Sequence, residues 1–215
     1  MKMLLQAVAG LVCMMGVAQA DVVAPDVLIK DTAQEVITIV KQDKDIQSGN
    51  QKKILALVDA KVLPNFDFNR MTQLAAGKYW RQATPEQKKA LVAEFRNMLV
   101  RTYTKAFTMY RDQKIEVKPL KLAATDIETT VKTQIIKSAG QPTSVDYQMK
   151  KADDGWKVFD VVIEGVSMVT SYRGTFSSQI EQPGNVPQGI DALIKTLADM
   201  NASAANGSLH KADAK

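Results

Sequence analysis

Ser167 has the surroundings that most resemble a catalytic arrangement. It stands in Gly165-Val166-Ser167-Met168-Val169, at the end of an apolar run. A strand, a glycine and a serine make half of the sharp elbow that presents a hydrolase nucleophile. The other half is a glycine two residues on, where this chain has Val169. An imidazole base would have to be held rigidly within about 3 Å of the hydroxyl. The chain has 1 histidine, His210, in the polar C-terminal stretch Leu209-His210-Lys211. No S-x-x-K sequence occurs near Ser167, so a lysine base has no motif either. Ser167 reads better as a backbone-bonding residue at a helix start; a secreted esterase using it is the alternative.

Two acids lie close by. Asp160 is expected to be exposed or paired with a base such as Arg173 or Arg101, and Glu164 to sit in the corner that follows the apolar run. Neither has a visible catalytic partner. Metal has little support: the chain's 1 cysteine is Cys13, near the N-terminus. Asp43/Asp45 and Asp153/Asp154 lack the alternating ligands, glycine and glutamate of a calcium loop. No G-x-x-x-x-G-K or G-x-G-x-x-G occurs, so no cofactor is expected. The remaining resource is apolar and aromatic: Phe66, Phe68, Met71, Trp80, Tyr103, Phe107, Tyr147, Met149, Phe159 and Tyr172. Periodicity reads these as ordinary core, and cannot tell whether such side chains meet or stand apart around a cavity. A non-enzymatic interaction module with a solid core therefore stays open.

The elements that must position these residues follow from spacing. Pro25-Asp26 opens a helix carrying Ile29, Val36, Ile37 and Val40, which Ser48-Gly49-Asn50 breaks. A second helix carries Ile54, Leu57 and Val58 and ends at Leu63-Pro64. A short helix is expected within Asn65–Tyr79. Thr84-Pro85-Glu86-Gln87 is a capping box with proline in the first turn, and the stripe from Leu91 to Met109 predicts a helix over about 85–111. Alternation then predicts four strands, around Ile115–Val117, Val131–Ile135, Val145–Met149 and Trp156–Ile163. In the fourth, Trp156, Val158, Asp160 and Val162 should share one face, and Lys157, Phe159, Val161 and Ile163 the other. Helical spacing returns from Val166 to Ile180 and again from Ile190 to Leu197. Helices, a meander and helices again predict an α+β fold, its four-stranded antiparallel sheet packed on the long helix.

The ends read differently from the middle. Lys2, the apolar Leu4–Val17 and Ala18-Gln19-Ala20 before Asp21 form a secretory signal peptide over residues 1–20, cleaved in the mature protein. Its apolar stretch is short of the ~20 residues a membrane span needs. Val12 before Cys13 argues against lipidation. Residues 21–200 are expected to form a single soluble domain, and residues 201–215 a disordered tail. The whole chain carries 28 basic residues against 23 acidic ones, a net +5. The doublets Lys52-Lys53, Lys88-Lys89 and Lys150-Lys151 read as solvated faces with weak attraction to anionic headgroups. Nucleic acid is not an expected partner, since no aromatic residues interleave the basic ones.

An ordered set of segments is more specific than any motif. It comprises Leu63-Pro-Asn-Phe-Asp-Phe-Asn-Arg-Met71, Gly77-Lys-Tyr-Trp-Arg-Gln-Ala-Thr-Pro-Glu-Gln87, Phe95 and Tyr103 on one helix, and Asp146-Tyr147. Gly155-Trp-Lys-Val-Phe-Asp160, Glu164-Gly-Val-Ser-Met168, Tyr172-Arg173 and Phe176 complete it. In this order the chain, over about residues 26–200, resembles the MlaC family, also called the toluene-tolerance (Ttg2) auxiliary proteins, soluble periplasmic phospholipid carriers of Gram-negative bacteria.

The resemblance implies a twisted antiparallel sheet packed with helices around a deep apolar lipid pocket, with acyl chains inside and the headgroup near solvent. It implies a non-enzymatic protein, a monomer, whose bound group is phospholipid. The carrier would move lipid between an inner-membrane ABC transporter complex and an outer-membrane lipoprotein–porin complex and so maintain outer-membrane lipid asymmetry. Tyr103 and Val166 match pocket-lining positions of the family. Facing adds Phe66, Met71, Leu99, Phe107, Met149, Val161, Ile163 and Val169. The chain departs from the family mainly over Val22–Gln51 and Gln182–Gln188.

Overall fold

The computed structural model describes residues 22–108, 113–137 and 140–205. The expected signal peptide lies outside the described residues, as does the expected tail beyond residue 205.

Helix α1 (Pro25–Gln42) starts on proline and buries Ile29, Val36 and Val40. It stops at Asp43, whose carboxylate accepts the Asp45 and Ile46 N–H groups and so starts α2 (Lys44–Gln47). Asn50 caps α3 (Gln51–Leu57), which widens into a π turn, Val58–Val62, then tightens over Leu63–Asn65. Asp67 caps α4 (Phe68–Ala76), and a tight turn, Gly77–Gln82, follows. The capping box of α5 (Pro85–Thr108) is formed as expected. The Thr84 N–H donates to Gln87 Oε1 at 3.1 Å, and the Gln87 N–H donates to Thr84 Oγ1 at 3.2 Å. Residues 109–112, where the sequence extends this helix, lie outside the described residues.

One antiparallel sheet follows, in the order β1 (Lys114–Val117), β2 (Glu128–Ile136), β3 (Thr143–Ala152), β4 (Gly155–Ile163) and β5 (Val166–Ser167). It has five strands, not the expected four. The expected strand-to-helix corner is a hairpin in which Ile163 pairs with Val166. Its loop residues Glu164 and Gly165 have φ of 49° and 80°, the positive pair a type I′ turn requires. The strain of a glutamate there is offset by two bonds to Ser144: the Glu164 N–H donates to the Ser144 carbonyl, and the Glu164 carboxylate accepts the Ser144 N–H.

A second difference decides which residues face inward. Gln148 lies opposite Asp160, but Met149 lies opposite Val158, so Phe159 is the extra residue of a β-bulge. One extra residue reverses the alternation beyond it. Trp156, Val158, Val161 and Ile163 therefore share a single face with Val145, Tyr147 and Met149. The strict alternation read from the sequence holds only up to Val158.

Helices α6 (Met168–Glu181) and α7 (Val186–Ala205) close the fold. The expected contact between α5 and the sheet is replaced: α5 packs most extensively on α7, and also on α4, α3 and α2. Helix α7 continues to Ala205, past residue 201, where the tail was expected to begin. Asn201 is buried, and its Nδ2 donates to the Glu94 carbonyl (3.0 Å) and carboxylate (2.7 Å).

Candidate functional site: an apolar seam between two cores

The interior is divided. Val131, Val145, Met149, Trp156, Val158 and Val161 form one buried cluster on the inner face of the sheet, with Ile29 of α1 against them. Met71 of α4, Leu91, Phe95 and Leu99 of α5, Val169 and Phe176 of α6 and Leu193 of α7 belong to another. A third, smaller cluster joins α1, α2 and α3. Among the described residues, two partly buried side chains pack against both larger clusters: Phe66 and Met168. Both lie along β4. Phe66 bridges Val158, and the next N–H, of Asp67, donates to the Val158 carbonyl at 2.8 Å. Met168 follows directly on β5. The sheet cluster and the helical cluster are thus separate groups of buried side chains that meet at these two residues.

Several residues of the sheet cluster keep part of their surface. Leu28, Val117, Ile135, Tyr147 and Ile163 are only half-buried although they pack on it. Burial among these groups pushes the Tyr147 hydroxyl up to about 12. On the helical side, Tyr172 packs edge-on to Phe95 with ring centroids 5.2 Å apart. Its hydroxyl is also pushed up to about 12, first by burial and then by the adjacent Tyr103 hydroxyl.

The residues that first suggested chemistry have another task. Asp160 is buried at 3% exposure, against the expectation that it is exposed or paired with arginine. One carboxylate oxygen accepts the Ser167 hydroxyl, and the other accepts the Val169 N–H at 3.1 Å. The Ser167 hydroxyl accepts the Thr170 N–H at 3.0 Å. Asp160 and Ser167 together cap α6, and this anchors the helix to β4. Arg173 instead donates from Nε and Nη2 to the Leu74 carbonyl, at 3.0 and 2.9 Å. Among the described residues no three His, Cys, Asp or Glu side chains gather where a metal could bind.

The expected site residues divide between the two cores. Met149, Val161 and Ile163 lie on the sheet face; Met71, Leu99 and Val169 lie in the helical core. Phe66 spans both. Tyr103 is 37% exposed beside Tyr172, and Val166 is 63% exposed on the hairpin. The Phe107 side chain lies outside what is described. Val131, Val145, Trp156, Val158, Tyr147 and Met168, which are not among the expected site residues, form or pack against the sheet cluster. Strand alternation already singled out Val131, Val145 and Tyr147. The bulge hid Trp156 and Val158 from that signal. A separate crevice of about 360 Å³ at the joint of α1 and α2 is lined by Ile39, Gln42, Asp43, Lys44 and Asp45. Its charged lining does not suit an apolar ligand.

The architecture is α+β, one antiparallel sheet and a helical core, each with its own buried apolar cluster. The family model described as MlaC protein matches residues 30–199, and the chain belongs to that family. It is 24% identical over 184 residues, 85% of each chain, to the toluene tolerance protein ttg2D of Pseudomonas putida. It is 23% identical over 177 residues to the intermembrane phospholipid transport system binding protein MlaC of Haemophilus influenzae, covering 81% of this chain and 80% of that one. A solved phospholipid-binding protein from Ralstonia solanacearum, in complex with a phospholipid, aligns with a TM-score of 0.77 at 34% identity, covering 85% of this chain and 99% of that chain.

Proposed function

We propose that this chain is a periplasmic phospholipid carrier. Its acyl chains would lie in the seam between the sheet face and the helical core, with the headgroup near solvent. Residues 21–200 form the lipid-binding domain, exported by the cleaved leader. The carrier exchanges lipid with an inner-membrane ABC transporter complex and an outer-membrane lipoprotein–porin complex. The observation that carries this reading is the division of the apolar interior into two cores bridged at Phe66 and Met168, in a fold whose Ralstonia relative holds a phospholipid.

Physical chemistry supports a carrier without a reaction. Burying apolar chain is worth about 0.8 kcal/mol per CH₂, so exposing two chains with roughly 28 methylenes costs over ~20 kcal/mol. A lipid does not cross water alone at a useful rate. A protein that encloses its tails removes that barrier. Much the same burial energy is gained again in the acceptor bilayer, so direction must come from the partners.

Organic extraction of the purified protein followed by mass spectrometry should release phospholipid. The lipid-stripped protein should take phospholipid up from vesicles. Failure of both would overturn the carrier reading.

A further inference from the structure

Tyr147 carries a hydroxyl on the inner sheet face for which the described residues supply no partner. It sits between Val145 and Met149 on β3, opposite Val131 on β2 and Val161 on β4, all apolar and buried. Its ring packs on the sheet cluster. Yet no hydrogen-bond partner for its hydroxyl occurs among the described residues, and the side chain keeps accessible surface. Thr133, one strand over on the same face, shows the contrast: it is buried, and its hydroxyl donates to the Val145 carbonyl at 2.6 Å. A part-accessible hydroxyl set among apolar neighbours, with no partner in the fold, is open to a partner from outside the chain.

The surroundings restrict what that partner is. The four residues that flank Tyr147 on this face, Val131, Val145, Met149 and Val161, are apolar, and the lysine of the face, Lys151, stands beyond Met149 opposite Trp156. A phosphate brought to the hydroxyl would be a charge with no adjacent countercharge. A neutral acceptor suffers no such penalty. Burial favours the neutral phenol, so the hydroxyl stays a donor across the physiological range.

Resting on the carrier reading above, we propose that the Tyr147 hydroxyl donates a hydrogen bond to an ester carbonyl of the bound diacyl lipid. This bond fixes the depth at which the glycerol sits, with the acyl chains beyond it against the half-buried Ile135 and Ile163 of the same face. Tyr147 is thereby a specificity-determining residue. It makes the seam selective for ester-linked over ether-linked lipid, because an ether has no carbonyl to accept.

The test is a competition. Wild-type protein is incubated with vesicles containing equal amounts of dioleoyl phosphatidylethanolamine and the corresponding diether lipid, reisolated and extracted. The ratio of bound lipids is then read by mass spectrometry. The two lipids have nearly the same tails, so their partition from the vesicle largely cancels. Wild type should favour the diester about fivefold, the worth of one neutral hydrogen bond. Tyr147→Phe, which keeps the ring and its packing, should bind both lipids with a ratio near one. Equal binding by the wild type overturns the assignment, as does undiminished ester preference in Tyr147→Phe. If the wild type takes up neither lipid, the carrier reading itself fails along with it.

Discussion

Val166 and Ser167 are neighbours with separate tasks, and the β4–β5 hairpin accounts for both. Ser167 points to the Asp160 side of β4, where it helps cap α6. Val166, paired with Ile163, lies on the same face of the sheet as that residue and is 63% exposed. Replacing it with glutamate removes little core packing. We expect Val166→Glu to melt within about 2 °C of the wild type, as exposed substitutions usually do. A carboxylate beside acyl chains is strongly unfavourable. Co-purified phospholipid should therefore fall at least about tenfold, measured per mole of folded protein. Full lipid content in a folded variant would remove Val166 from the site. Part of this was legible in one sequence. The absent second glycine and the absence of a well-placed histidine argued against an elbow. The Asp160 cap was not legible, because it depends on a bulge one residue earlier.

At the scale of elements, close contacts that the sequence cannot announce hold the helical core together. Gly189 of α7 is buried, and a methyl added there would fall on the backbone of Ile180 in α6. Two effects oppose each other in Gly189→Ala. Alanine favours a helix over glycine by about 1 kcal/mol. Overpacking against a backbone that cannot rotate away costs roughly 1–3 kcal/mol. The clash should win: thermal unfolding followed by circular dichroism should shift down by at least about 2 °C. A rise in melting temperature would mean that α6 and α7 do not meet this closely. Helix starts were the most readable feature of the sequence, because a cap needs only neighbours in the chain, as Thr84 and Gln87 show. The four main strands were readable from alternation. The two-residue β5 was too short to show a period. The bulge at Phe159 was invisible, since one extra residue leaves composition and local pattern unchanged while reversing every facing beyond it. The first part of the stripe on α5, Leu91, Phe95, Met98 and Leu99, is buried, whereas Thr102 is exposed; the helix was assigned to the sheet but packs most on α7 and α4.

For the whole molecule, the two displaced tyrosines link the interior to alkaline stability. Tyr147 and Tyr172 ionise near 10.0 when unfolded and are both pushed up to about 12 in the fold. Between those values the folded state holds protons that the unfolded chain has lost. The contribution of each hydroxyl is thus fully present below pH 10, and it is lost as pH rises towards 12. Urea unfolding at about pH 9 and about pH 11 should show a lower midpoint at the higher value. The Tyr147→Phe/Tyr172→Phe double variant should flatten that decline. An equal decline in both proteins would show that these hydroxyls are not desolvated. The family was legible because its ordered segments survive over most of the chain. The seam was not, because periodicity reports that a residue is apolar and leaves open which apolar surface it meets.

The paired bridge at Phe66 and Met168 also has a mechanical consequence. The extensive ties between α4 and α6 and the sheet run along β4, through the Asp67 strap and the Asp160 cap. Among the described residues no other backbone–backbone hydrogen bond ties α4, α5, α6 or α7 to the sheet. Spreading the two cores breaks no rung of the strand ladder and no turn of a helix. The interior thus has compliance in one direction and stiffness in the others. On the proposed carrier reading, such an interior would adjust its volume to its contents, and one sequence would seat acyl chains of different length and saturation without a separate pocket for each.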